Sequence, residues 1–207
     1  MNQEIIDTFN FRHACKLFND KKIPQDQLDT ILEAGRLSPS SFGMEPWKFL
    51  VIQSDDVKKE LKPYCWGQNQ IDTCSELVII LANVKDVLPG DPYIEKMFSR
   101  RGLPREATLN YVKTYNEYLS PIAKKDGGVE AWSGKQCYIA AANMMTTAAL
   151  QKIDSCPIEG FEKEQIENLL NIDTNEYRVS VMVALGYRAR VATEKKRKSI
   201  EDVVEFI

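Results

Sequence analysis

The run Leu77-Val-Ile-Ile-Leu-Ala82 constrains this chain more than any other segment. An apolar run without alternation suits a strand covered on both faces, so other layers must pack on either side of its sheet. Lys48 to Ile52 supplies a second strand, and Arg178-Val-Ser-Val-Met-Val-Ala-Leu185, ending at Gly186, supplies a third. Helices fall between them. Pro24 opens one in which Leu28, Ile31, Leu32 and Gly35 recur at helical spacing, ending near Leu37. Ser54, followed by Asp55 and Asp56, caps a short helix over Val57 to Lys62. Arg105 to Leu119 is helical, Asp126-Gly-Gly128 punctuates, and Glu130 to Lys152, rich in Ala, Met and Thr, is predicted to be a buried helix. Glu164 to Leu170 is a further short helix, whereas residues 84–104 mix proline, glycine and charge without a period and read as an insertion or lid. The interleaving implies an α+β or mixed α/β fold. With no repeat, linker or low-complexity stretch, one domain over 1–207 is expected.

Composition removes several classes of function. A net charge of −3 on 207 residues offers no general attraction for nucleic acid, so any anion site must be local. No apolar run approaches the roughly 20 residues that span a bilayer, and Met1-Asn-Gln-Glu-Ile5 has no basic segment leading into an apolar one. A cytoplasmic protein without membrane partners is expected. Cys15, Cys65, Cys74, Cys137 and Cys156 contain no Cys-x-x-Cys, and His13 is the only histidine, which favours free thiols over disulfides or a metal site. Glycine-rich nucleotide fingerprints of the Rossmann and P-loop kinds are absent. A hydrolytic triad would need His13, and nothing marks Cys15 as its partner.

Four segments carry the remaining chemistry. Arg36-Leu-Ser-Pro-Ser-Ser-Phe-Gly-Met-Glu-Pro-Trp-Lys-Phe49 joins a helix to a strand, and its small residues between Pro39 and Gly43 let backbone N–H groups approach a ligand. In an extended Arg12-His-Ala-Cys-Lys-Leu-Phe18, Arg12, Ala14 and Lys16 face one way and His13, Cys15 and Leu17 the other. Four extended residues span roughly 13 Å, enough to place one cation on a phosphate and another near the ring of a mononucleotide. Two solvated surface charges is the simpler reading of that spacing. Glu194-Lys-Lys-Arg-Lys198 offers further cations or only a solvated run, and Cys156-Pro-Ile-Glu-Gly-Phe161, with Gly160, reads alone as a loop closing a helix.

Together these segments resemble the nitroreductase family of FMN-dependent, NAD(P)H-using oxidoreductases. Arg12-His13-x-x-Lys16-x-Phe18, Ser38-Pro-Ser-Ser41 with Pro46-Trp47, Pro157-Ile-Glu-Gly-Phe161 and Lys195-x-Arg197 match in order along almost the whole chain. Arg-His-x-Cys-Lys, together with Asp154-Ser-Cys-Pro-Ile158, resembles the RdxA-type oxygen-insensitive members. The resemblance implies a nitroreductase-like α+β fold: a central mixed sheet flanked by helices, in an intertwined homodimer whose Ser199 to Ile207 crosses onto the partner. It implies FMN at the subunit interface, NADPH or NADH as donor, and ping-pong reduction of nitroaromatic or quinone-like acceptors.

Residue by residue, the resemblance gives the FMN phosphate to Arg12, Lys195 and Arg197. Pro39, Ser40, Ser41 and Gly43 would come from the other subunit. Lys16 would sit at the pyrimidine end of the flavin, where a fixed ammonium favours the anionic reduced form. Glu159 and Gly160 would approach the N5 side by backbone amides, so Lys16, Glu159 and Gly160 are the expected catalytic residues. His13, Ala14, Gly67, Gln70, Gln136, Pro157 and Ile158 complete the expected cofactor-binding set. Ala14 stands where many members have Ser, Gly67 and Gln70 where some have Asn and Lys, and Glu45 where Gln is frequent. A flavin or quinone reductase of the same fold, and a flavin-binding redox sensor, are the alternatives.

Overall fold

The computed structural model describes residues 2–207; Met1 lies outside them. Four strands, β1 (Trp47–Ile52), β2 (Glu76–Asn83), β3 (Asp154–Ile158) and β4 (Tyr177–Gly186), form one sheet in the order β1-β2-β4-β3. Every pairing among these strands is antiparallel, with Leu50 opposite Ile79 and Val78 opposite Val183. The expected mixed sheet is thus corrected. Among the described residues, parallel pairing is confined to the isolated bridge between Ala14 and Ser155.

β2 is buried along its whole length, as its unbroken apolar run predicts. Leu77, Ile79 and Leu81 enter a core with Cys65, Ile71 and Ile166 on one side of the sheet. Val78, Ile80 and Ala82 enter the other core, against Leu28 and Ile31 of α2 (Gln25–Arg36) and Cys137, Ala141, Met144 and Ala148 of α7 (Gly128–Leu150). Each face of such a strand buries about 1.5–3 kcal/mol per large side chain, so β2 anchors both layers. Pro24 stands one position earlier than expected, as the N-cap of α2. Ser54 Oγ accepts from the Val57 amide and caps α3 (Asp55–Leu61), as its sequence predicts.

Three segments depart from the sequence reading. Residues 84–104 are no open lid: they contain α5 (Pro92–Ser99), which packs on α6 (Arg105–Ala123) through Ile94, Phe98, Tyr115 and Leu119. Asp154 to Ile158 is the edge strand β3 and not a loop. Pro157 is tolerated there because an edge strand has one side free of the ladder. Near the N-terminus, α1 (Gln3–Phe11) is a helix with no expectation from the sequence. Between α3 and β2 lies α4 (Asn69–Thr73), and α8 (Lys163–Leu169) precedes β4.

Candidate functional site

β3 is the spine of the candidate site. Arg12 to Phe18 runs alongside it, with the Cys15 amide donating to the Ser155 carbonyl at 3.2 Å. Three contacts follow along the strand. At its start, buried Asp154 accepts from the Arg188 amide at 2.8 Å and pairs with the Arg188 guanidinium at 2.6 Å. His13 Nδ1 lies 3.4 Å from the same carboxylate but makes no hydrogen bond to it. Arg188 neutralises the charge of that acid, and burial together with the Arg188 charge holds the His13 pKa below its ordinary 6.5, so the imidazole is neutral at pH 7.

In the middle of the strand, Lys16 Nζ donates to Cys156 Sγ at 3.4 Å. The ammonium pulls the thiol's pKa down, but burial outweighs it and the net direction is upward. Cys156 is therefore a neutral, space-filling acceptor for Lys16 and not a thiolate. Beyond the strand, Trp66 packs against Gly160 so closely that a Cβ on Gly160 would stand 2.6 Å from the indole. Gln68 Nε2 donates to the Gly160 carbonyl at 2.7 Å, and Gln70 Nε2 donates to Gln68 Oε1 at 2.7 Å. Gln70 is buried by this contact, and Gly67 at φ 67° turns the chain between Trp66 and Gln68. Pro157 is exposed and Ile158 buried, while the exposed Glu159 carboxylate accepts from Tyr138 Oη.

The N-terminal end of this line opens into a groove of about 550 Å³ walled by Asn10, Arg12, His13, Ala14 and residues 192–197. Lys195 Nζ crosses it to the carbonyls of Phe9 and Arg12, which fixes the tail against the end of α1. Among the described residues, no carboxylate pairs with Arg12, Lys16, Lys195 or Arg197. Partial burial and the neighbouring Arg12 and Arg197 charges lower the Lys195 pKa. Glu194 also lines the groove but pairs with none of these cations, so the cluster still favours an anion, and phosphate matches the forked guanidinium geometry.

The remaining expected residues form a second group. The Ser41 amide donates to Gln136 Oε1 at 2.9 Å, and the Glu45 amide to Ser40 Oγ at 2.8 Å. Pro39 and Gly43 are exposed on this loop. Its backbone is strained: Phe42 at φ 58° and Glu45 at φ 47° flank Gly43 at φ 69°. Each such non-glycine residue costs about 1–3 kcal/mol and persists only where surrounding contacts hold it. Among the described residues, no hydrogen bond, ion pair or groove wall joins this group to the β3 line within one chain. Sequence reasoning did not single out Asp154 and Arg188 as site residues. Their signal is tertiary, although Asp154 stands at the head of a recognised block. Tyr115 and Trp132 are buried in the core, whereas Trp66, Tyr111 and Tyr118 are exposed.

The sequence profile of the nitroreductase family matches residues 10–187. Three similar proteins, each "putative" by name, span the whole chain or nearly so. An NAD(P)H nitroreductase of Staphylococcus haemolyticus is 45% identical, with 100% of this chain and 99% of the relative aligned. A solved NAD(P)H:FMN oxidoreductase of Staphylococcus epidermidis is 26% identical with a TM-score of 0.82, over 98% of this chain and 95% of that one. A nitroreductase of Exiguobacterium sibiricum, solved in complex with FMN, has a TM-score of 0.83 at 22% identity, over 98% of this chain and 97% of that one. The chain belongs to the nitroreductase family.

Proposed function

We propose that this chain is an FMN-dependent oxidoreductase that takes hydride from NADPH or NADH and reduces flat nitroaromatic or quinone-like acceptors, donor and acceptor using one site in turn. The observation that carries the reading is the groove lined by Arg12, Lys195 and Arg197, cations without acidic partners, at one end of the β3 line. These residues fit a phosphorylated flavin. Arg12, Lys195 and Arg197 would hold the phosphate, Lys16 the pyrimidine end, and the backbone at Glu159 and Gly160 the opposite ring edge. Bound FMN supplies the redox relay that no side chain offers.

The protein's own part is orientation and charge. Lys16, held by Cys156, sets a positive charge where negative charge arrives with the electrons, and no side-chain acid is needed because water can deliver the protons. Pro39, Ser40, Ser41, Gly43 and Gln136 would reach the same flavin from a second copy, which makes a homodimer the functional unit. Their separation from the β3 line within one chain supports that assembly. The five thiols are all buried, which counts against the sensor alternative. Names of relatives agree with FMN and NAD(P)H, and a cytoplasmic location follows from the same reading.

Absorption spectra test it. Protein reconstituted with FMN should show oxidised-flavin bands that bleach on anaerobic addition of NADPH or NADH and return with a nitroaromatic or quinone. Protein that stays colourless would overturn the assignment. Bleaching that only quinones or free flavins reverse would instead favour a quinone or flavin reductase of the same fold.

A further inference from the structure

The loop carrying Pro39, Ser40, Ser41 and Gly43 keeps Phe42 and Glu45 in the left-handed backbone region that favours glycine. Both are tied to one place, the C-terminal end of α5. Arg101 Nη2 donates to the Phe42 carbonyl at 2.8 Å, and Arg100 Nη2 pairs with Glu45 Oε1 at 2.9 Å. Arg101 is itself fixed, its guanidinium 4.8 Å from the ring centroids of both Phe98 and Tyr111. On the loop's side, the Phe42 ring meets buried Tyr115 edge-on at 5.3 Å. Tyr93, also on α5, donates to the Met44 carbonyl at 3.0 Å. Gly43 lies under the same guanidinium: a Cβ there would stand 3.7 Å from Arg101 Nη2.

We propose that Arg100 and Arg101 are positioning residues that hold Phe42 and Glu45 in their strained conformation and so preset the Pro39 to Gly43 backbone for the flavin. The proposal rests on the reading of that loop as half of an FMN site. Arginine suits the task because a planar fork can stack on rings while donating in its own plane, which a lysine ammonium cannot do. A loop fixed before the ligand arrives binds without a further ordering cost. Arg101 acts through a hydrogen bond to a backbone carbonyl and ring packing, so its effect should be insensitive to salt, whereas the exposed Arg100–Glu45 ion pair weakens as salt screens it.

FMN titration of the apoprotein, with a melting curve for each variant, tests this. Arg101→Ala should weaken FMN binding about tenfold at low and high ionic strength alike, and Arg100→Ala up to about fivefold at low ionic strength, while melting temperature stays near that of the parent. Glycine adopts a positive φ unaided, so the loss in Arg100→Ala should disappear when Glu45→Gly is added. Unchanged affinity in both arginine variants would overturn the proposal. So would a loss in Arg101→Ala that vanishes in high salt, since the guanidinium would then be acting as a charge on the phosphate, or a loss in Arg100→Ala that Glu45→Gly leaves intact. Parent protein that binds no FMN would refute the site reading, and this proposal with it, before any variant is compared.

Discussion

Charge placed without compensation is the theme at single residues. Lys16 is held by a sulfur and not a carboxylate, so its full charge faces outward from β3. Lys16→Ala should lower the midpoint potential of bound flavin by about 30 mV, the two-electron equivalent of one charge-assisted hydrogen bond of about 1.5 kcal/mol. Redox titration of both proteins checks it. His13 gives a pH signature. Its folded pKa lies below 6.5, so on acidification the unfolded chain takes up the proton first. Stability should therefore fall as pH drops from 6.5 towards the lowered value, and His13→Gln should flatten that slope in urea melts. The thiols are a third case: burial pushes Cys15 up to about 11 and Cys65, Cys74 and Cys137 up to about 12. Ellman's reagent should find them unreactive in the native protein at pH 8 and titrate all five cysteines after unfolding.

Elements differ in how tightly they surround the site. A Cβ on Gly186, at the end of β4, would lie 2.8 Å from Phe18 Cδ1 and 3.1 Å from the Ser75 backbone nitrogen. Backbone cannot yield there, so Gly186→Ala should destabilise by about 1–3 kcal/mol, about 2–4 °C of melting temperature per kcal/mol. The clash at Gly160 is with the indole of Trp66, which is 69% exposed and free to swing away. Gly160→Ala should therefore leave melting unchanged and alter FMN affinity. β2 was legible in the sequence because burial on both faces writes itself as an unbroken apolar run, and α7 because of its Ala, Met and Thr content. β3 was not, since Asp154, Ser155 and Pro157 look like a turn, and the strand is recognisable only through partners far along the chain, Ala14 and β4. α5 hid in the same way, its period obscured by the prolines and glycines around it.

For the whole molecule, the blocks that carry the family resemblance fall into two groups that one chain keeps apart. Arg12 and Lys195 meet across 183 positions of sequence, a pairing that no local spacing could reveal, yet their order along the chain was readable as a pattern. Salt bridges such as Arg178 to Glu167 and Lys58 to Asp55 tie the scaffold together and are distinct from the unpaired cations of the groove. The central claim is that the cation groove of one copy and the Ser40 to Gly43 loop of another grip the same FMN. Mixed dimers test it most directly, made from one chain with Arg12→Ala and Arg197→Ala and another with Gly43→Val, a β-branched residue forced to positive φ. Neither variant alone should retain flavin, whereas the purified mixed dimer should hold one FMN per two chains, because one of its two sites is assembled from intact halves. A mixed dimer that forms but stays colourless, while the parent protein binds FMN, would contradict the account.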